Sequence, residues 1–494
     1  MTIKPPTINN QDENENFSSK LFGGLIWSSL EKFSVQGVSA IIGIVLTRLL
    51  EPVEIGNIGL LIVFISFSQV FIDSGFSTAL IQKQNRSKED INTVFVFNFM
   101  VAVICYTLIW VAAPYISDFY EVPKLTAFIR LLSVCLFFNA AITIPQTLLT
   151  IKMDFKSMAK VNVSASIISG FIAIYLAYKG FGELALIWQI LIKTLITAVY
   201  IWVIVNYKPK FEFNLISFKS LFSFGSKLLI SSLLNNITNN IASLFIGKVI
   251  SVKSLGYYSR GTQFADMVFG PMYSVYNSVF LPSLSAIQNE KELLVSQTRG
   301  IIKMSSSLVF PLFFFLAVVA KPMIILVLTE KWIAAAPIMS IICIARAITI
   351  ISSININLLY AIGRSDLVLK QQYYKLLVRI IFLLISLKFG IIWIAVAELL
   401  ATTVHFFINT YYPSKYMKYG ALAQINDAKG SILISILLSI ITLLLFHFIT
   451  NIILQIIISM IIFSLVYYFM AKIFGMTELE KLLTKCKKMI WSKK

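Results

Sequence analysis

The chain has 494 residues, of which 58% are hydrophobic and only 13% charged, about half the charged share of soluble domains. Its mean hydropathy is +0.83; a soluble core cannot hide that much apolar surface, whereas a bilayer can. The formal net charge of +19 would suit a nucleic-acid partner but equally suits membrane-protein loops rich in Lys and Arg, so the placement of the charges decides.

Residues 1–21 contain Asp12, Glu13 and Glu15 and lack the apolar stretch of a secretory leader, which predicts a short cytoplasmic tail. Apolar runs long enough for ~30 Å of hydrocarbon follow at 22–47, 55–81, 92–113, 125–149, 161–178, 184–205 and 220–247. They continue at 256–284, 304–329, 334–361, 376–387 extended back into 367–375, 389–411, 430–448 and 452–471. The expected fold is all-α, a polytopic membrane protein of about 14 transmembrane helices. The eleventh run carries Lys370, Lys375 and Arg379 and is the most polar. With the N-terminus inside, inside segments hold 27 of the 42 Lys and Arg. That bias puts both ends in the cytoplasm and accounts for the positive charge without nucleic acid. From Glu478 to Trp491, apolar residues recur at helical spacing among lysines. The tail 472–494 is therefore either an interfacial amphipathic helix or a frayed basic end.

An internal echo runs through the chain. Trp27-Ser28-Ser29-Leu30 returns as Ile230-Ser231-Ser232-Leu233, and Ile55-Gly56-Asn57-Ile58 as Leu255-Gly256-Tyr257-Tyr258, at offsets of 203 and 200 residues. One offset equal to six helices predicts two six-helix lobes in parallel orientation, a known transporter plan. The N-lobe is then 22–205, a linker 206–219, the C-lobe 220–411, and the pair 430–471 an appendix.

Chemistry-bearing motifs are missing. The sequence has no GxxxxGK[ST] loop, HExxH or GxSxG. Its four cysteines include no CxxC pair, so neither zinc nor redox chemistry is suggested, and no cofactor or metal is expected. No TVGYG-like filter of a potassium channel occurs.

The informative residues are the charges inside the spans, each costing about 2.5–3.5 kcal/mol at mid-helix. Seven cations (Lys32, Arg130, Lys193, Lys227, Arg260, Arg346 and Arg379) stand against four anions, Glu31, Asp73, Asp266 and Glu398. Pairing cannot neutralise them all, and a cationic surplus calls for an anionic guest such as phosphate or pyrophosphate. Lys32, Lys227 and Arg260 lie on the first, seventh and eighth spans, and Arg346 near the middle of its own. Arg130, Lys193 and Arg379 can instead snorkel to an interface. Gln69 and Asp73, four apart, share a helix face and suit a coupling cation or a pairing with Lys32. Glu398 and His405, seven apart, suit a proton relay or a helix–helix contact. Asn235, Asn236, Asn239 and Asn240 form two i,i+4 pairs that can bind sugar hydroxyls as a polar cavity wall or join helices.

Two stretches resemble a known family. They are LTRLLEPVEIGNIGLLIVFISFSQVFIDSGFSTALIQK from Leu46 and IGKVISVKSLGYYSRGTQFADM from Ile246. Both look like signatures of bacterial polysaccharide flippases, the Wzx-type translocases of O-antigen, capsule and exopolysaccharide. That family belongs to the multidrug/oligosaccharidyl-lipid/polysaccharide exporter superfamily. The resemblance implies two lobes around a central cavity and no enzymatic activity. It implies a monomeric transporter that moves undecaprenyl-diphosphate-linked oligosaccharide across the bacterial cytoplasmic membrane by alternating access. Membrane lipids, a polysaccharide polymerase and chain-length machinery are the implied partners. By position in the matching stretches it implies Arg48, Asp73, Arg260 and Asp266 as motif members. The expected cationic cavity is then Lys32, Arg48, Lys227, Arg260 and Arg346, with Asp73, Asp266 and Glu398 as candidates for ion coupling. A cation-coupled multidrug exporter shares the architecture but wants an acidic cavity. A membrane polymerase or ligase wants a sizeable external loop, and none longer than roughly a dozen residues is expected.

Overall fold

The computed structural model describes residues 31–474 apart from 74, 84, 206 and 208. The N-terminal tail, the Trp27-Ser28-Ser29-Leu30 echo and the basic stretch 478–491 lie outside the described residues. Every regular element among the described residues is helical. Among the described residues, eleven helices are long and apolar enough to cross a membrane, which makes the chain an all-α, multi-pass membrane protein.

The chain divides into two compact units, Met1–Gly256 and Tyr257–Lys494. The first contains α1 (Glu31–Leu49), α2 (Pro52–Asp73), α3 (Phe76–Gln82), α4 (Lys88–Tyr120), α5 (Leu125–Ser133) and α6 (Cys135–Ile151). It goes on through α7 (Phe155–Tyr178), α8 (Glu183–Ile204) and α9 (Leu215–Phe245). The start of α4 shows how local sequence sets a boundary. Ser87 accepts from the Asp90 amide at 3.1 Å and Asp90 accepts from the Ser87 amide at 2.9 Å, a reciprocal cap that satisfies two orphan donors. The helix stops at Glu121, whose φ is 59°.

This division lies later than the 206–219 linker of the sequence reading, because the seventh span stays with the first six. α9 packs on α2 and α3, and the segment leading into it is strapped to α4. Asn92 accepts from the Tyr207 hydroxyl and from the Lys210 amide, and Thr93 accepts from the Asn214 amide at 3.1 Å. Asn214 in turn caps α9 by accepting from the amides of Ile216 and Ser217. Below the strap, Phe76, Ile91, Phe95, Leu148 and Val161 form a buried apolar cluster.

The Gly56/Gly256 half of the echo has a physical basis. A Cβ on Gly56 would fall inside the carbonyl of Val252, and one on Gly256 inside the carbonyl of Pro52. The two positions, matched at an offset of 200 residues, thus touch each other's helical first turn reciprocally. Such backbone-to-backbone approach needs residues without side chains.

The second unit takes up α10 (Val252–Ser285) from Tyr257 onwards. It continues with α11 (Lys291–Val318), α12 (Ala320–Leu328), α13 (Ala336–Ala361) and α14 (Ser365–Ser386). It closes with α15 (Ile391–Met417), α16 (Ala421–Leu445), α17 (Ile452–Ile461) and α18 (Tyr467–Ile473). α13 packs between α11 and α15, α14 on α15, and α16 on α11 and α18. α16 is fastened near its start by Asp427, which accepts from Arg299 at 2.8 Å and from the Tyr419 hydroxyl at 2.9 Å.

α9, α10 and α14 are 31, 34 and 22 residues long but are not among the eleven apolar helices. Their length suffices to span, at about 1.5 Å per residue; their polarity sets them apart. For α14 one polar stripe, Gln371, Lys375 and Arg379, lies inward while Lys370 and Gln372 are exposed. Gln371 donates to the Ile408 carbonyl at 2.8 Å, and Arg379 donates to Glu398 at 2.7 Å. His405 Nε2 meets the Lys375 carbonyl at 3.0 Å; a carbonyl only accepts, so Nε2 carries the proton. Arg379 therefore does not snorkel outward, because a buried carboxylate on the neighbouring helix holds it.

Two consequences are measurable by thermal unfolding of the detergent-purified protein. Gly56→Ala and Gly256→Ala each force backbone apart and should destabilise by about 1–3 kcal/mol or more, the usual scale of overpacking. Glu398→Leu strands the Arg379 guanidinium and should cost about 3–5 kcal/mol, as when one partner of a buried pair is removed.

Candidate functional site

A connected line of charged side chains lies in the second unit and starts on α10. Arg260, Gln263 and Asp266 follow one another at three-residue spacing, so that Gln263 is a helical neighbour of each of the other two. Arg260 donates to Gln263. Asp266 receives the fork of Arg346 from α13, with Nε at 2.6 Å and a second nitrogen at 3.3 Å. Arg346 also lies over the Phe269 ring at 5.0 Å and 3.8 Å from Glu398 on α15. Glu398 in turn holds Arg379 of α14 at 2.7 Å. Four helices are thus joined by one line of alternating charge.

The line is wet at one end and dry at the other. The Asp266 side chain is 43% exposed, Arg346 19% and Glu398 8%. A carboxylate so exposed is costly against hydrocarbon, so that end of the line suits a water-filled surface. Arg260 adds a cation without a carboxylate partner among the described residues. Its buried Nε has no hydrogen-bond partner. Three guanidinium groups, Arg260, Arg346 and Arg379, thus accompany two carboxylates. Chemically the arrangement offers forked, charge-assisted donors suited to phosphate oxygens.

The other expected residues fall in several places. Arg346 is not an uncompensated cation: Asp266, 80 residues away in sequence, and Glu398 face it across the helix interfaces. Asp266 and Glu398 accordingly stand as counter-ions, and Glu398 answers Arg379 rather than His405. Lys32 is exposed on α1, and Arg48 is exposed near its end. Lys227 lies on α9, its side chain outside the described set. Asp73 accepts from Ser77 at 2.6 Å. The asparagine quartet splits. Asn236 and Asn240 join α9 to α2, where Asn236 donates to the Ser66 carbonyl at 3.4 Å and Asn240 to Asn236 Oδ1 at 3.1 Å. Asn235 and Asn239, one position earlier in each pair, remain exposed beside that contact. Arg130 stacks on Trp110 at 3.9 Å, and Lys193 is half-buried on α8. Away from the spans, the Lys248 ammonium bonds Glu121 at 2.8 Å and holds its carboxyl below the usual range. No cluster of His, Cys, Asp and Glu fit for a metal occurs among the described residues.

Sequence reasoning left out Gln263, Phe269 and the role of Arg379. The Arg260–Gln263–Asp266 spacing was available as a signal. The partnership of Arg379 with Glu398 was not, because it depends on how α14 is rotated against α15.

Residues 45–337 match the model of a family described as polysaccharide biosynthesis protein, a region that takes in both stretches that resemble polysaccharide flippases. The chain is 25% identical over 355 residues to the teichuronic acid biosynthesis protein TuaB of Bacillus subtilis, covering 71% of this chain and 73% of TuaB. It is 22% identical over 359 residues to the succinoglycan biosynthesis transport protein ExoT of Rhizobium meliloti, covering 73% and 71%. Among solved structures, the lipid II flippase MurJ in an inward closed conformation is similar with a TM-score of 0.72 at 16% identity, covering 91% of this chain and 98% of MurJ. At that identity the likeness is one of fold. With more than half of its length inside the family match, this multi-pass membrane chain belongs to the polysaccharide biosynthesis protein family.

Proposed function

We propose that the protein is a flippase, moving an oligosaccharide carried on a lipid diphosphate from one leaflet to the other by alternating access. The observation that carries this reading is the half-exposed charge line of the second unit, with its surplus guanidinium, on a helix too polar to face lipid. The roles of TuaB and ExoT in polysaccharide biosynthesis and the fold shared with a lipid flippase support it.

In this reading the lipid is undecaprenyl diphosphate and the membrane is the bacterial cytoplasmic membrane. Both chain ends are cytoplasmic, as the Lys and Arg bias indicates. α9, α10 and α14 complete fourteen spans. Arg260 and Arg346 receive phosphate oxygens, with Lys32, Arg48 and Lys227 as further cations. Exposed Asn235 and Asn239 meet sugar hydroxyls. Asp73, Asp266 and Glu398 are the acids available for ion coupling. The protein works as a monomer and hands its product to a polymerase. No phosphate-binding loop for ATP occurs in the sequence, so drive comes from an ion gradient or from consumption of the product. An exporter of organic cations would want the opposite sign of charge at the site.

Reconstitution in liposomes with a fluorescent lipid-linked oligosaccharide tests the reading. Arg260→Ala should slow translocation by about tenfold or more, since a hydrogen bond to a charged group is worth about 1.5–3 kcal/mol. Wild-type rates in the double variant Lys227→Ala plus Arg260→Ala would remove the cationic site from the mechanism.

A further inference from the structure

A carrier crosses its cycle empty as well as loaded, and the empty state poses the harder electrostatic problem. A bare guanidinium that waits for an anion inside a membrane is costly. The second unit contains an answer. Asp266 holds Arg346 through two nitrogen–oxygen contacts, 2.6 and 3.3 Å, the forked geometry a phosphate would use. Glu398 is a looser neighbour of Arg346 at 3.8 Å, because it is committed to Arg379 at 2.7 Å. Asp266 is also the most exposed member of the line, so a ligand arriving through water meets the Asp266–Arg346 contact first.

We propose that Asp266 is a built-in stand-in for the phosphate: it occupies Arg346 in the empty site, and an arriving diphosphate displaces it and leaves it protonated. The inference rests on the flippase reading and adds how its anion site is regulated. Once phosphate takes the fork, Asp266 has lost its counter-ion and lies beside a second anion. Both changes favour its neutral form, and the proton comes from the water that reaches it. The charged and titratable groups that interact with Asp266 are Arg346 and Cys343 from α13 and, on α10 itself, Tyr258; Glu398 of α15 stands behind Arg346, and Arg379 of α14 behind Glu398. Glu398 stays with Arg379 throughout, so the dry end does not move. Release of the anion lets Asp266 ionise and return to Arg346, and the guanidinium is never left bare.

The sign of the pH dependence follows. Loading takes up a proton, so binding is stronger at lower pH and weakens, by up to about tenfold per unit, across the pH range in which the loaded site holds that proton and the empty site does not. The test is calorimetric titration of the detergent-purified full chain with inorganic pyrophosphate, near neutral pH, in buffers of different ionisation enthalpy. Pyrophosphate carries its own proton equilibria, so the informative quantity is a difference between proteins. The wild type should take up as much as about one more proton per pyrophosphate than Asp266→Asn. Asp266→Asn, lacking the competitor, should bind pyrophosphate more tightly, and Asp266→Glu should restore the proton uptake. Equal proton counts, weaker or unchanged binding by Asp266→Asn, or no pyrophosphate binding by the wild type would each overturn the proposal. The liposome rate judges the flippase reading separately, so a stand-in disproved by calorimetry leaves a working translocase recognisable as one.

Discussion

An ionised side chain within a bilayer must have a counter-charge or water, and in the second unit one guanidinium meets that demand for three helices at once. Arg346 of α13 is held by Asp266 of α10 at 2.6 Å and approaches Glu398 of α15 at 3.8 Å. Arg379 then brings α14 to the same Glu398. Each charge depends on its neighbour, so the relative rotation of these four helices is set by electrostatics as much as by apolar packing. Lipid tails give helices no hydrophobic reason to prefer one another; polar contacts and close packing supply the preference instead. The graded exposure from Asp266 to Glu398 gives the line a reactive end and an anchored end.

The first unit solves the same association problem with other means. Its helices approach through small residues and through amides. Gly170 on α7 leaves room for Ile42 of α1. Asn162 donates to Glu31 at 2.6 Å, and Asn236 and Asn240 fasten α9 to Ser66 of α2. Such amide contacts are worth about 0.6 kcal/mol each on average, so the strap from Tyr207 to Asn214 and the apolar cluster around Phe76 and Phe95 add to what keeps α9 in place.

Much of this was legible in the sequence because a bilayer imposes a simple length and polarity rule. The apolar runs reappear as helices with shifted ends; α4, for example, extends the run 92–113 to Lys88–Tyr120. The Gly56/Gly256 echo was readable because close backbone approach admits only one residue type. Partner choice was not readable. Counting seven cations against four anions could not reveal that Asp266 and Glu398 answer Arg346 and Arg379, since a pairing 80 residues apart depends on helix rotation. The asparagine quartet was ambiguous for a related reason. Four residues within two helical turns point to more than one side, and the structure uses one pair for α2 and leaves the other exposed. Nor could composition show the strap of hydrogen bonds that ties the segment before α9 to α4 within the first unit.

The inward-turned face of α14 also bears on how the chain is made. Gln371, Lys375 and Arg379 recur every four residues along one side of it, and a segment so polar partitions poorly into lipid on its own. Its partners sit on α15, which is synthesised afterwards and follows across the short connection Leu387–Gly390. The ribosome must therefore have extended past Asn409 before the last of these contacts can close. α14 and α15 would then leave the insertion machinery together, as a preassembled hairpin, rather than one at a time.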